Sequence, residues 1–334
     1  MEPIVDFHTH YIPETVADFD AEGCTRLVIE SPTCAQMYEG DKHYRTIDER
    51  CWDAKRRIGD MDERNIALQV ISPIPVTNSY SSKPDRGKAF ARLHNDGIAE
   101  FVRARPDRFA GLGAVPLQDT DATCNELQYI MRDLKLLGVE LNTTAPGREL
   151  DDPALIPFWE ECERHRAIIF IHPEKAPGAE RHRHVPMFIA AAAYPTETGL
   201  VAARLLMGGY LTRYPNVTIV LAHGGGTLPW MLPRLDRFWQ TMAKAELKER
   251  PSVEARKFFC DTLTFDETNL ELVAKRFGAN HLMVGSDYPF GVMEDPPGEV
   301  LLKSPFDEIS KDDMRAKNYR RLAAFVTSGG SARP

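Results

Sequence analysis

Positive charge is in short supply in this chain. Its 41 Lys and Arg face 49 Asp and Glu, for a formal net charge of −8 at pH 7 and a pI near 5.7. A broad nucleic-acid-binding face is thereby excluded, because phosphate binding needs clustered Lys and Arg. An anionic substrate would have to be met by local arginines against the overall field. Long hydrophobic runs are also missing: none approaches the ~18 residues of a membrane span, so no membrane association is expected. The six cysteines, Cys24, Cys34, Cys51, Cys124, Cys162 and Cys260, are scattered and form no CxxC pair. No charged-then-apolar leader is visible. The expectation is a cytoplasmic protein with reduced thiols. Cys260, in "FFCDT", reads as a buried core thiol rather than a nucleophile. Low-complexity runs and inter-domain linkers are absent too.

What is present is a large apolar fraction, 43% of 334 residues, enough for one large core. Eight short apolar runs recur: Ile4 to His8, Ala67 to Pro73, Phe109 to Pro116, Gly138 to Asn142, Ala167 to Pro173, Val217 to His223, Phe258 to Thr262 and Leu282 to Pro289. Their continuous, β-branched character suits parallel strands buried on both faces. Helical spacing marks Arg86 to Pro106, Asp121 to Gly138 (closing on a C-cap glycine), Asp152 to Arg166 and Thr268 to Gly278. The pattern predicts an α/β fold, a distorted (β/α)8 TIM-type barrel, as a single domain over residues 1–325. A doubly wound sheet would want a Gly-rich turn after the first strand, and none follows it. Residues 11–57 break the repeat and are read as an insertion over the barrel mouth. The tail, 326–334, is expected to be disordered.

The first run continues into "VDFHTHYIP", with His8 and His10 two residues apart. On a strand, i and i+2 share a face, and the pair would stand about 7 Å apart. His172 ends the fifth run, His223 the sixth, and Asp287 lies at the end of the eighth. Barrel enzymes of this type carry their chemistry at those strand ends. A lone histidine there is usually structural. Four histidines and an aspartate gathered at one end point instead to a metal site. Imidazoles with one carboxylate suit Zn2+ and related ions with an open position for water.

"DFHTH", "IHP", "AHGGG" and "GSDYPF", in this order, resemble the amidohydrolase superfamily. More narrowly, the chain is similar to its decarboxylase branch, typified by 2-amino-3-carboxymuconate-6-semialdehyde decarboxylase. "HYRTID", "CWDAKRRIGDMDERNI", "AVPLQD" and "HGGGTLPWMLPRLDRFW" extend the resemblance over nearly the whole chain. It implies that His8, His10, His172 and Asp287 bind one Zn2+ per chain, with Mn2+ or another divalent ion as the alternative. His223 would be the acid/base residue, and Asp287 would share the catalytic work. Arg45 would bind a substrate carboxylate. Arg234 would reach a neighbour's pocket across a homodimer interface. Trp52 and Phe290 would shape the pocket, with core packing an equal alternative for both. Binuclear members carry a carboxylated lysine at the end of the fourth strand. That strand here reads "GVELNT", so one metal is implied unless Glu140 bridges; a buried, hydrogen-bonded Glu140 is the preferred reading.

The sequence departs from the branch after His172. Glu174 stands where the type enzyme has a tryptophan, and Ala176 to Pro186 is polar and basic, with Arg181, His182, Arg183 and His184. That loop is expected to border the pocket as a solvated or anion-contacting segment, not a second metal site. The function expected is a metal-dependent, non-oxidative decarboxylase acting on a small-molecule carboxylate, either an aromatic acid or a carboxylated ring-cleavage product. A metal-dependent hydrolase of a lactone, amide or carbon–carbon bond is the alternative. A non-catalytic binding protein fits poorly, since every ligand position is filled.

Overall fold

The computed structural model describes residues 2–182, 184–185, 187–242 and 247–328. Strand β1 (Ile4–Tyr11) is followed by an antiparallel sheet, β2 (Thr25–Ser31), β3 (Cys34–Glu39) and β4 (Lys42–Asp48). Helix α1 (Ala54–Glu63), capped by Asp53, leads to β5 (Ile66–Pro73). Then come α2 (Pro84–Ala104), β6 (Phe109–Gly111), α3 (Thr120–Arg132), β7 (Gly138–Asn142), α4 (Ile156–His165) and β8 (Ile168–His172). The second half holds α5 (Tyr194–Met207), β9 (Thr218–Leu221), α6 (Leu228–Met242), β10 (Phe259–Asp261), α7 (Glu267–Phe277), β11 (Leu282–Met283) and α8 (Asn318–Ser328). Short helical turns lie between them. Among the described residues no helix is long and apolar enough to cross a membrane.

The eight parallel strands form two runs, β1-β5-β6 and β11-β10-β9-β8-β7. Backbone hydrogen bonds join the runs at both edges. Phe7 N–H donates to Val284 O (2.8 Å), His10 N–H to Tyr288 O (2.8 Å) and Asp287 N–H to His8 O (2.9 Å). At the other edge Gly113 N–H donates to Gly138 O and Glu140 N–H to Gly113 O, both at 2.9 Å. The sheet thus closes on itself, as the eight apolar runs predict.

Side-chain parity then decides what faces the axis. On β8, Ile168 and Phe170 join an inner cluster with Val5, Phe7, Val220 and Phe259, while Ile169 and Ile171 pack outward beneath the helices. His172 has the inner parity and caps that row. On β1, Asp6 and Thr9 pair with Gln69 and Ile71 of β5, so three steps on one strand match two on the other. Such a bulge re-aims side chains. It lets Phe7 pack on Phe170 (ring centroids 5.5 Å) while His8 also contacts Phe170 (4.9 Å).

The segment 11–57 holds an antiparallel sheet whose apolar cluster includes Leu27, Met37, Ile47 and Trp52, and residue 57 falls inside α1. Two expectations need correction. The tail is helical through Ser328, because α8 continues to that residue; residues 329–334 lie outside the described residues. Helix α3 ends at Arg132, so Gly138 is not its cap. Gly138 begins β7 at φ +154°, where a Cβ would collide with the backbone of Ile168. Its role is the close approach of β7 to β8. Gly138→Ala should therefore lower unfolding stability by about 3 kcal/mol, the scale of backbone clashes at special positions. Urea titration with an unchanged m value checks this.

Candidate active site

Four side chains converge at the mouth. One ligand atom each from His8, His10, His172 and Asp287 lies within 4.8 Å of the others, and all four residues are buried. Each histidine is oriented through its far nitrogen. His8 Nδ1 lies 2.7 Å from Asp261 Oδ2, His10 Nδ1 3.0 Å from Pro73 O, and His172 Nδ1 2.8 Å from Pro173 O. With Nδ1–H donating outward, each Nε2 presents a lone pair inward. Those lone pairs crowd one another: the Nε2 atoms of His8 and His10 are 3.2 Å apart, and His10 Nε2 is 3.1 Å from Asp287 Oδ1. His172 Nε2 and Asp287 Oδ1 are buried without a hydrogen-bond partner among the described residues. A cation satisfies all of them at once, and three imidazoles with one carboxylate suit a divalent ion.

Electrostatics favour the same occupant. Burial, then the neighbouring imidazoles, holds His172 well below the ordinary histidine value. Burial lowers His10 too. Burial pushes the Asp287 carboxyl up, but the close approach of His10 and the charges of nearby histidines outweigh it and bring it to about 2. Burial also opposes charge on His8, yet the bond to Asp261 and the surrounding carboxylates raise it to about 9. A metal ion at the cup must displace that proton.

Asp261, at the end of β10, organises the group. Besides His8 it accepts from the backbone N–H of His223 (2.9 Å), Gly224 (2.8 Å) and Leu263 (3.2 Å). It thus ties a ligand to the turn that carries His223. The His223 ring centroid is 5.3 Å from that of His8 and 5.1 Å from that of His172. Its Nδ1 is buried without a partner among the described residues. Burial, then the charge of His8, lowers its pKa, which favours the neutral imidazole. Sequence reading missed Asp261, although it ends the seventh apolar run in the way the ligands end theirs.

Glu140 is buried, accepts from Ser72 Oγ (2.5 Å), and is pushed up to about 8 chiefly by burial. It stands outside the group of four. His172, His223 and Asp287 border a cavity of about 820 Å3 whose wall also includes Arg45, Tyr44, Tyr194 and Phe290. Phe290 stacks on His10 (5.2 Å), and the Arg45 guanidinium lies 4.1 Å over the Phe290 ring. Arg45 and Phe290 thus both border the cavity. Trp52 does not: it packs with Ile12, Val16 and Met37 in the inserted sheet's cluster. Arg234 is exposed on α6, 4.9 Å from the Phe238 ring, and does not border this chain's own cavity. The segment after β8 contributes Met187, Ala190, Ala191 and, at the start of α5, Tyr194, and none of its described basic residues borders the cavity. Arg181 bonds His182 instead, and Arg183 and Pro186 lie outside the described residues. Glu174 is buried, with its carboxyl pushed up to about 7 by burial, and pairs with Lys175 (3.8 Å).

The chain belongs to the amidohydrolase family, whose model matches residues 5–320. It is 32% identical to the 2-amino-3-carboxymuconate-6-semialdehyde decarboxylase of Dictyostelium discoideum over 326 residues, 94% of this chain and 89% of that one. The crystal structure of a 2,6-dihydroxybenzoate decarboxylase with bound 2,6-dihydroxybenzoate superposes with a TM-score of 0.80 at 26% identity, covering 97% of this chain and 99% of the other. A dihydroxybenzoic acid decarboxylase from Polaromonas sp. JS666, solved with manganese and 2-nitroresorcinol, shares the fold (TM-score 0.78, 22% identity, 97% and 98% covered).

His172→Ala should lose most of the bound metal. Asp261→Asn should retain the fold but weaken metal affinity ~10- to 100-fold, the usual cost of losing a carboxylate that orients a liganding histidine. Metal analysis and chelator competition on the purified variants measure both.

Proposed function

We propose that the protein is a metal-dependent, non-oxidative decarboxylase of an aromatic carboxylic acid or a carboxylated ring-cleavage product. The observation that carries this is a complete four-ligand cup bordering a largely apolar cavity whose wall, among the described residues, holds one arginine, Arg45. The donor set favours Zn2+, one per chain, with Mn2+ as the alternative. The wall, including Ile74, Pro75, Ala190, Ala191 and Leu263, suits a flat ring and sheds water. Arg45 supplies a planar donor pair for a carboxylate, and its face-on contact with Phe290 holds the guanidinium in place. A divalent ion, when bound, stabilises negative charge developing on a substrate oxygen.

Loss of CO2 leaves an electron pair on carbon, and that carbon must be protonated. Neutral His223 can accept a proton at the ring nitrogen it has free and return it. Asp287 is the second candidate for carrying the proton to carbon. A hydrolase would use the same cup to add water to a carbonyl. Incubation with a panel of aromatic and ring-cleavage acids separates the two: CO2 with a product one carboxyl lighter supports the decarboxylase, and a product heavier by one water supports the hydrolase. A cytoplasmic location fits the unpaired thiols, all six cysteines being free.

Assembly completes this reading. Trp230 and Phe238 on α6 are 82% and 46% exposed, more apolar surface than a monomer's helix normally shows. We assign this face to a homodimer in which Arg234 enters the neighbouring pocket.

Three outcomes are expected. The native protein should hold about one equivalent of metal per chain; two tight equivalents would overturn the mononuclear reading. His223→Asn should keep metal and fold while turnover falls at least ~100-fold, the scale of a general acid/base. Arg234→Ala should raise the apparent KM or lower turnover without metal loss. Mixing it with His223→Asn should restore some activity in hybrid dimers, whereas a fully active monomer would exclude the shared site.

A further inference from the structure

Arg57, on α1, is completely buried, and among the described residues no carboxylate lies within 4.0 Å of its guanidinium. An unpaired buried charge costs several kcal/mol, and an apolar side chain could fill the same space without that cost. The donors are not idle, however. Nη1 donates to the backbone carbonyl of His10 at 2.6 Å and to Arg50 O at 3.1 Å. Nη2 donates to Thr9 Oγ1 (3.0 Å) and Nε to Gln69 Oε1 (3.0 Å). The planar cation also lies 4.9 Å from the Tyr288 ring. Tyr288 in turn donates from its hydroxyl to Asp60 Oδ2 (2.9 Å), one turn along the same helix.

Helix α1 therefore grips both sides of one seam. One side is the end of β1, through the carbonyl of the ligand His10 and the side chain of Thr9. The other is Tyr288, the residue after the ligand Asp287. The seam itself is made by His10 N–H to Tyr288 O and Asp287 N–H to His8 O. His10 Nε2 and Asp287 Oδ1, 3.1 Å apart, meet directly across it. Charge-assisted donors to a carbonyl are shorter and stronger than neutral ones, and a metal cup works only when its ligands are held within about 0.5 Å.

We propose that Arg57 is a positioning residue of the metal centre, holding the His10 and Asp287 segments in mutual register so that their ligand atoms converge. It touches neither metal nor substrate. Its neighbour in sequence, Arg56, pairs instead with Asp60 at 3.3 Å while half exposed, so the buried placement is particular to Arg57.

The test is metal affinity, read by titrating the holoenzyme with a chelator of known strength and following released Zn2+ or Mn2+. Arg57→Lys keeps the charge but cannot span four acceptors. It should bind metal ~10- to 100-fold more weakly while its far-UV circular dichroism matches the parent, the range for partners that orient ligands. A merely structural arginine would lower the melting temperature and leave the affinity of the folded protein unchanged. Affinity within about twofold of the parent therefore overturns the proposal. If Arg57→Lys does not fold, Tyr288→Phe decides: it removes only the tie to Asp60 and should weaken metal binding severalfold, and unchanged affinity overturns the idea. The measurement needs no substrate, so its outcome is independent of whether the reaction is decarboxylation.

Discussion

The centre exists only because residue 8 and residue 287 are hydrogen-bonded to each other. Asp287 N–H to His8 O, with His10 N–H to Tyr288 O, closes the barrel between its first and last strands. The same two bonds bring ligands from opposite ends of the chain to one point. No local segment can assemble the cup, because His8, His10, His172 and Asp287 come from three different strands. Closing the barrel carries the entropic cost of a very long loop, and a divalent ion held only by the closed form would stabilise it by mass action. The bulge in β1 follows from this arrangement. Without the extra residue between Asp6 and Thr9, the two histidines would fall on the parity that packs beneath the helices.

Below the cup the interior is apolar, and the acidic groups there are each bound. Asp6 accepts from Ser286 Oγ (2.6 Å) and N (3.0 Å), so the strand carrying His8 is pinned to the strand carrying Asp287 a second time. Asp261 serves a third seam, from β10 to the His223 turn and back to His8. A carboxylate in low dielectric that accepts three or four N–H groups is far more rigid than one solvated by water. The four-ligand geometry is thus over-determined by its surroundings, which is what a metal cup with an open position requires.

Much of this was legible from residues alone. Strand ends could be read because a parallel strand buried on both faces is a nearly unbroken apolar run, and a histidine at its end is conspicuous. Parity could not be read at β1, because a bulge leaves no composition signal. Asp261 was passed over since one aspartate after "FFC" looks like any strand-ending polar residue; only its four donors reveal its role. Trp52 and Phe290 looked alike as aromatics next to motifs. Both join the inserted sheet's apolar cluster, but Phe290, following the last barrel strand, also lines the cavity and stacks on His10, whereas Trp52 does neither. Gly138 resembles a helix end because glycine marks helix ends in general, yet α3 stops at Arg132 and Gly138 is required by the backbone of Ile168.

The cup and the cavity wall are built from different parts of the chain, and this separates chemistry from choice of substrate. The ligands sit on barrel strands or immediately after them, locked by backbone bonds. The wall comes from the inserted sheet (Tyr44, Arg45), the loop after β8 (Ala190, Ala191, Tyr194) and the turn after β11 (Phe290, Val292). None of these wall segments carries a residue of the four-ligand group. Net charge acts in the same sense. With −8 on the whole chain, the proposed reading leaves attraction of a carboxylate to Arg45 at short range, where a partly desolvated guanidinium counts for more than distant charges screened by salt. On that reading, discrimination falls to the fit of the substrate against Phe290 and the apolar wall.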